Sequence, residues 1–422
     1  MESRGTSRRK FEDEYNEMMG RIGVAFGNDQ GFANAQNYIK CLLGSAERKN
    51  GWQMSEYLGA GTPYQMQQFI YRGRYDADEI MWIAGEYVME ALGEADGVMV
   101  LDETGFIKQG KKSCGVARQY TGTSGKVDNC QVGVFLTYAG GRGHGVIDRR
   151  LYMPREWMED AERLRGAGVP ESVAFQTKAE IGMRMLEKAE MRGMAYGWAT
   201  GDSVYGDSEA LRGWLEENGK WYVLAVKPNS GIWEDNKETT IANAMKGMSG
   251  DKWVRASCGD GSKGAREYEW ATAEAAKEWR EAVNRLDGAG EWERVLLARR
   301  SLGDRDDMQA YICHCPRGTA VGKLVEVAGT RWTVETCFRE AKGEVGLDQY
   351  ECRSYDGWHR HVTFACAALS LLTVASARSL DGMPMQRHDP GSSSLVEFMC
   401  NECERSSHAV HTNRSKKRGL LA

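Results

Sequence analysis

Three acidic residues, Asp102, Asp202 and Glu335, stand where their side chains could share divalent metal ions. Asp102 follows the apolar run Val98-Met99-Val100-Leu101, and Asp202 follows Trp198-Ala199-Thr200-Gly201. Both are the pattern of a buried strand that delivers a carboxylate to a sheet edge. Hard cations such as Mg2+ take oxygen ligands and need only a few from protein. Two of them can activate water and stabilise the leaving oxygen in phosphodiester cleavage. An aspartate at a strand end is ordinary by itself, since it also caps the helix that follows. The third acid changes the weight of the pair. In the stretch Arg331-Trp332-Thr333-Val334-Glu335-Thr336-Cys337-Phe338-Arg339-Glu340-Ala341-Lys342, residues 331, 335, 338 and 342 are spaced to share one helix face. Arg331 and Lys342 then flank Glu335, an arrangement suited to metal and phosphate. The plainer alternative is an exposed salt-bridge stripe.

Elements must exist to position these residues. Residues 11–93 carry helix formers and no strand-like alternation; residues 53–59 and the run after Pro63 read as two short helices around a Gly-rich turn, loosely a DNA-binding helix-turn-helix, with a plain helical packing domain as the alternative. From Gly97 the pattern changes. Strands are expected at 98–101, 114–121, 129–139, 198–200 and 221–226, and helices at 178–192 and 208–217. This predicts an α/β fold, a mixed sheet flanked by helices. The pattern breaks again over 227–328, which reads as a mostly β insertion with strands at 295–298 and 309–313. Helix returns at Arg331, and 360–377 reads as a buried helix. The expected organisation is a helical DNA-binding domain (1–93), a core in two parts (94–226 and 329–380), the insertion (227–328) and a weakly ordered tail (381–422).

Composition narrows the class. The 422 residues allow a large core, and 41% hydrophobic with 27% charged residues exclude global disorder. Polar residues follow Met1, unlike a secretory signal, and the run 361–377 falls short of the roughly 20 apolar residues of a membrane span. No membrane association is expected. Eleven singly scattered cysteines suit a reducing cytoplasm. The net charge of −5 is uninformative about nucleic acid, because affinity follows local cations. Such clusters occur at Arg4, Arg8, Arg9 and Lys10, and at Arg414, Lys416, Lys417 and Arg418.

The spacing Arg331-x3-Glu335-x6-Lys342 resembles the Y-x2-R-x3-E-x6-K signature of one branch of bacterial insertion-sequence DDE transposases. Leu101-Asp102-Glu103-Thr104-Gly105-Phe106 is similar to the family's first-aspartate motif and Thr200-Gly201-Asp202-Ser203-Val204-Tyr205-Gly206 to its second. The phrases 115–120, 346–351 and 358–361 extend the likeness, which runs from about residue 36 to 378. The resemblance implies an RNase H-like core with a β insertion before the glutamate. It implies cut-and-paste transposition, with Asp102, Asp202 and Glu335 holding Mg2+ (or Mn2+), and Arg331 and Lys342 on DNA phosphates. The implied partners are terminal inverted repeats, target DNA and a second copy of the chain, and the implied location is the cytoplasm at the nucleoid. An RNase H-like nuclease without strand transfer, or a domesticated DNA-binding protein, would share these motifs. One departure stands out: the signature's tyrosine falls at Ala328.

Other chemistry-bearing residues read more plainly. Cys400-x2-Cys403 with His408 and His411 has too short a spacer for an ordinary zinc finger. Cys313-His314-Cys315 alternates along a strand, so its members face opposite sides. Glu103 should point away from Asp102 and accept structural hydrogen bonds if its strand continues. The turn at 259–264, with Lys263 and Arg266, could cradle phosphate. Trp253, Trp270 and Trp292 read as core anchors, with stacking on an unpaired base as the alternative.

Overall fold

The computed structural model describes residues 2–234, 237–261, 264–274 and 291–380. Lys263, the tail 381–422 with its Cys/His set, and the basic cluster at 414–418 lie outside the described residues.

The first ninety residues form α1 (Glu2–Gly23), α2 (Asp29–Leu43), α3 (Gly51–Tyr57), α4 (Tyr64–Arg72) and α5 (Ala77–Leu92). Three of these helices are capped at the start by a side chain. Asn28 accepts from Gly31 N, Asn50 from Gln53 N, and Asp76 from Asp78 N and Glu79 N. Helices α3 and α4 are the two short helices expected, and the turn between them holds Gly59 at φ +69°.

Strands β1 (Val98–Ile107), β2 (Ala117–Thr121), β3 (Lys126–Gly140) and β4 (Gly143–Leu151) follow. After α6 (Arg155–Met158), α7 (Ala161–Ala167) and α8 (Lys178–Met191), the chain alternates through β5 (Trp198–Gly201), α9 (Ser203–Gly206), α10 (Glu209–Glu217) and β6 (Trp221–Val226). The sheet order β4-β3-β1-β5-β6 combines an antiparallel meander with parallel β1–β5 and β5–β6 pairs. This is the RNase H-like mixed sheet, with helices on its faces. Two expectations need correction. Asp102 does not end its strand: β1 runs on to Ile107, because pairing with β3 continues through Asp102↔Phe135 to Ile107↔Cys130. And β4 was not anticipated, since its buried Asp148 and Arg149 hide the apolar alternation.

The stretch expected to be a mostly β insertion carries six strands among the described residues. A small hairpin of β7 (Gly231–Glu234) and β8 (Lys237–Thr240) leads to α11 (Ile241–Lys246). Then β9 (Val254–Gly261), β10 (Gly264–Glu274), β11 (Trp292–Arg300) and β12 (Met308–Pro316) prolong the central sheet. Antiparallel pairing of β12 with β6 makes one ten-stranded sheet. Helix α12 (Val321–Gly343) begins ten residues before Arg331, so the boundary expected at 328/329 falls inside it. Helix α13 (Tyr355–Leu380) is long and apolar enough to cross a membrane by length and composition, contrary to the expectation. Yet 83% of its apolar window is buried against α1, α2, α4, α5 and β4. It is a core helix. One hydrophobic cluster reaches from Phe11 to Ala375.

Candidate active site

Strands β1 and β5 run parallel and stay paired from Val98↔Trp198 to Leu101↔Gly201. Beyond that pair they part. The chain leaves β5 at Asp202, whose side chain accepts from Val204 N at 2.8 Å and caps α9. Meanwhile β1 continues along β3, so Asp102 borders the opening that β5 vacates. Both aspartates flank this notch. Gly201 beside it leaves little room for a larger residue, because a Cβ there would press on Tyr205 and the Leu101 carbonyl.

Alternation along β1 divides its side chains between two helices. Asp102 and Thr104 face α12. The Arg331 guanidinium lies 3.3 Å from Asp102 Oδ2 and 3.5 Å from Glu335 Oε1, bridging the two acids. Lys342 Nζ donates to Thr104 Oγ1 (2.8 Å), Thr123 Oγ1 (3.1 Å) and Gly105 O (3.3 Å). The structure thus puts Arg331, Glu335 and Lys342 on one face of α12, over β1. Glu340 is turned away and meets His144 at 3.1 Å. Side-chain exposure rises from 14% at Asp102 through 23% at Arg331 to 47% at Glu335, so the site opens outward past the glutamate.

Glu103 faces the opposite way, as its place in a continuing strand requires. It pairs with Lys178 of α8 at 2.5 Å and accepts from Tyr205 OH at 3.0 Å. Sequence reasoning passed over Lys178 and Tyr205; the available signal was the Asp202-x2-Tyr205 spacing, which returns the ring to β1 one turn later. Burial raises the Asp102 pKa to about 7; Arg331 opposes this, while the Glu103 and Asp202 carboxylates add to it. Asp202 is raised as well, first by burial and then by Glu103. Two half-buried, mutually repelling carboxylates offer hard oxygen donors, which fits a hard divalent cation. As they stand, no three His, Cys, Asp or Glu side chains among the described residues are gathered closely enough to hold a metal. Arg331 is interposed between Asp102 and Glu335.

The remaining candidates fall outside this centre. Ala328, at the signature's tyrosine position, is 4% exposed and packs in the core. His314 points to Trp221, Tyr222 and Trp292, and is bracketed in sequence by buried Cys313 and Cys315. Trp270 is buried and donates to Ala256 O, and Trp253 lies under Arg300. Arg266 lies beside the start of the 259–264 turn, its Nη2 close to Gly259. Its side chain crosses to α12, donating to Cys258 O (3.0 Å) and Gly329 O (3.4 Å).

Residues 24–291 match a family model described as DDE superfamily endonuclease, a span that contains Asp102 and Asp202 and stops short of Glu335. Over 223 residues the chain is 24% identical to the probable transposase for insertion sequence element IS701 of Microchaete diplosiphon. That match takes in 52% of this chain and 54% of the relative, so the chain spans about half the length of the curated relative it matches.

Proposed function

The chain belongs to the DDE superfamily of endonucleases, and from this premise we propose that it is the cut-and-paste transposase of an insertion sequence. The observation that carries the reading is the notch between β1 and β5, flanked by Asp102 and Asp202 and overlaid by Arg331 and Glu335 of α12. Dependence on a divalent metal comes with the family; Mg2+, with Mn2+ able to replace it, is our assignment. Asp102, Asp202 and Glu335 would hold it. Bound there, the ions would supply an activated attacking oxygen and charge relief at the leaving one.

The chain's own residues do the rest. Asp202 is oriented by the first turn of α9, and Asp102 Oδ1 accepts from Glu103 N at 2.7 Å, so both carboxylates are held by backbone donors. Release of Arg331 from Asp102 and Glu335 frees the two acids for a cation and its guanidinium for a phosphate. Lys342 borders the same path, although its donors are engaged by Thr104, Gly105 and Thr123 until one is exchanged. The assignment to the Y-x2-R-x3-E-x6-K branch rests on Arg331, Glu335 and Lys342 alone, since Ala328 is buried. The substrates are the element's terminal inverted repeats and target DNA. Two ends must be cut together, which calls for a homodimer on DNA. Residues 1–93 supply the end-recognition region.

The test uses the purified chain, Mg2+ and DNA carrying the sequences that flank its gene. Release of the ends followed by joining to a second DNA is the expected result. Cutting without joining would make it an RNase H-like nuclease, and binding without cutting a domesticated DNA-binding protein.

A further inference from the structure

Strands β9, β10 and β11 carry five arginines, and three of them are matched with a carboxylate. Arg255 pairs with Glu267, Arg294 with Glu216, and Arg300 with Glu269. Arg266 and Arg299 have no carboxylate partner among the described residues. These two sit on the side that approaches the acids. Arg266 lies over the Trp332 indole, 4.8 Å from its centroid, and Arg331 lies 5.6 Å from the same ring. One indole therefore carries two guanidinium groups, the second of which touches Asp102 and Glu335. Arg299 stacks on Tyr268 at 4.3 Å and pairs across the ladder with Trp270.

Aromatic faces hold a guanidinium plane without consuming its N–H edges. Here several edges lack an acceptor. Arg266 Nε and Nη1 and Arg299 Nε are buried with no hydrogen-bond partner among the described residues. Such an unmet donor is unfavourable, the more so when it is charged. Burial lowers the Arg266 pKa; Glu335 opposes that and Arg331 adds to it, so the three charges lie within electrostatic reach. Arg299 and Arg331 both act on the Tyr311 hydroxyl, which places them in one neighbourhood too. Cations crowded together with free edges beside an acid need an anion with several oxygens.

We propose that Arg266 and Arg299 of the sheet extension, together with Arg331, form a binding site for consecutive phosphates of the DNA strand that passes Glu335. The site rests on the DNA-cutting reading given above, and it assigns a task to strands otherwise remote from the acids. The terminal nitrogens of Arg299 make no hydrogen bond among the described residues, so they meet phosphate directly. Arg266 joins by exchanging its long contact to Gly329 O. The planar fork suits two oxygens of one phosphate.

The experiment measures binding of the full-length chain to a duplex oligonucleotide from the end of its element. It is run in EDTA so that nothing is cut, over a series of salt concentrations. Arg266→Gln and Arg299→Gln should each lower the slope of log affinity against log salt by about one phosphate contact. Arg299→Lys should recover most of that slope, and Arg300→Gln, whose partner is Glu269, should leave it unchanged. Thermal melts show whether each variant folds, and if Arg266→Gln does not, the Arg299 pair decides. Wild-type slopes in folded Arg266→Gln and Arg299→Gln (or in Arg299→Gln alone), beside a lowered slope in Arg331→Gln, would overturn the proposal. A wild-type chain that binds with these arginines yet never cuts in Mg2+ sinks the enzymatic reading instead.

Discussion

Asp102 and Asp202 are built into paired strands and a helix cap, whereas Glu335 stands on a helix face and is the most open of the three. Asp102→Ala, Asp202→Ala and Glu335→Ala should each abolish cleavage in Mg2+, while affinity for end DNA, which comes from cations, stays within a few-fold of wild type. Gel-resolved cleavage together with anisotropy checks this, and near-normal cutting by any one variant removes that residue from the site. Glu340→Ala is the control on the same helix. Its partner is His144 on the other side of α12, so cleavage should be nearly unchanged. The spacing of 331, 335 and 342 made this face legible from sequence. The interposition of Arg331 between two acids was not legible, because it depends on how closely α12 approaches β1.

That approach is governed by one glycine. A Cβ at Gly329 would collide with the Cys258 carbonyl of β9, so α12 can lie against the sheet extension only with glycine there. Gly329→Ala should cost about 1–3 kcal/mol by overpacking, and it should reduce cleavage further by displacing Arg331 and Glu335. Denaturant melts and cleavage rates on the same preparation test this; unchanged stability would mean that β9 gives way freely. Elements were unevenly legible in the sequence. Residues 221–226 were read at their observed limits, because continuous apolar character marks a strand buried on both faces. β1 was cut short at its polar Asp-Glu-Thr stretch, whose side chains are taken up by Arg331, Lys178 and Lys342. That the strands of 227–328 prolong the core sheet was not legible, because the link is the β6–β12 ladder. Its partners, such as Leu224 and Ile312, lie far apart in the chain, and no local pattern reports them.

The helices of residues 1–93 share one hydrophobic cluster with the sheet. α5 packs on β4 and α13, and α2 and α4 also rest on α13. A fragment of residues 1–93 should therefore lose helical content and protease resistance when expressed alone, and repeat DNA should be tested on the full chain. His361 ties these parts together. Its Nδ1 meets Tyr38 OH of α2 at 2.7 Å, and its Nε2 meets Gly346 O at 3.0 Å. Burial pulls its pKa from 6.5 down to about 4, and buried His359 is pulled down as well. Between those values the unfolded chain binds the extra proton and the folded one refuses it. Stability is thus full above about pH 6.5 and falls as the pH drops toward 4. His361→Gln should lower the melting temperature at neutral pH and flatten its decline below pH 6.5; an unaltered decline would place the acid sensitivity elsewhere. The pairing of β6 with β12, and of Asp102 with Arg331, also imposes an order during synthesis. Until the ribosome has passed residue 316, β6 has no partner on that side, and until Glu335 has emerged the notch lacks its third acid. A translation product that stops early, whether by frameshift or by premature termination, would carry both aspartates and much of the sheet but not the whole of the proposed cutting centre.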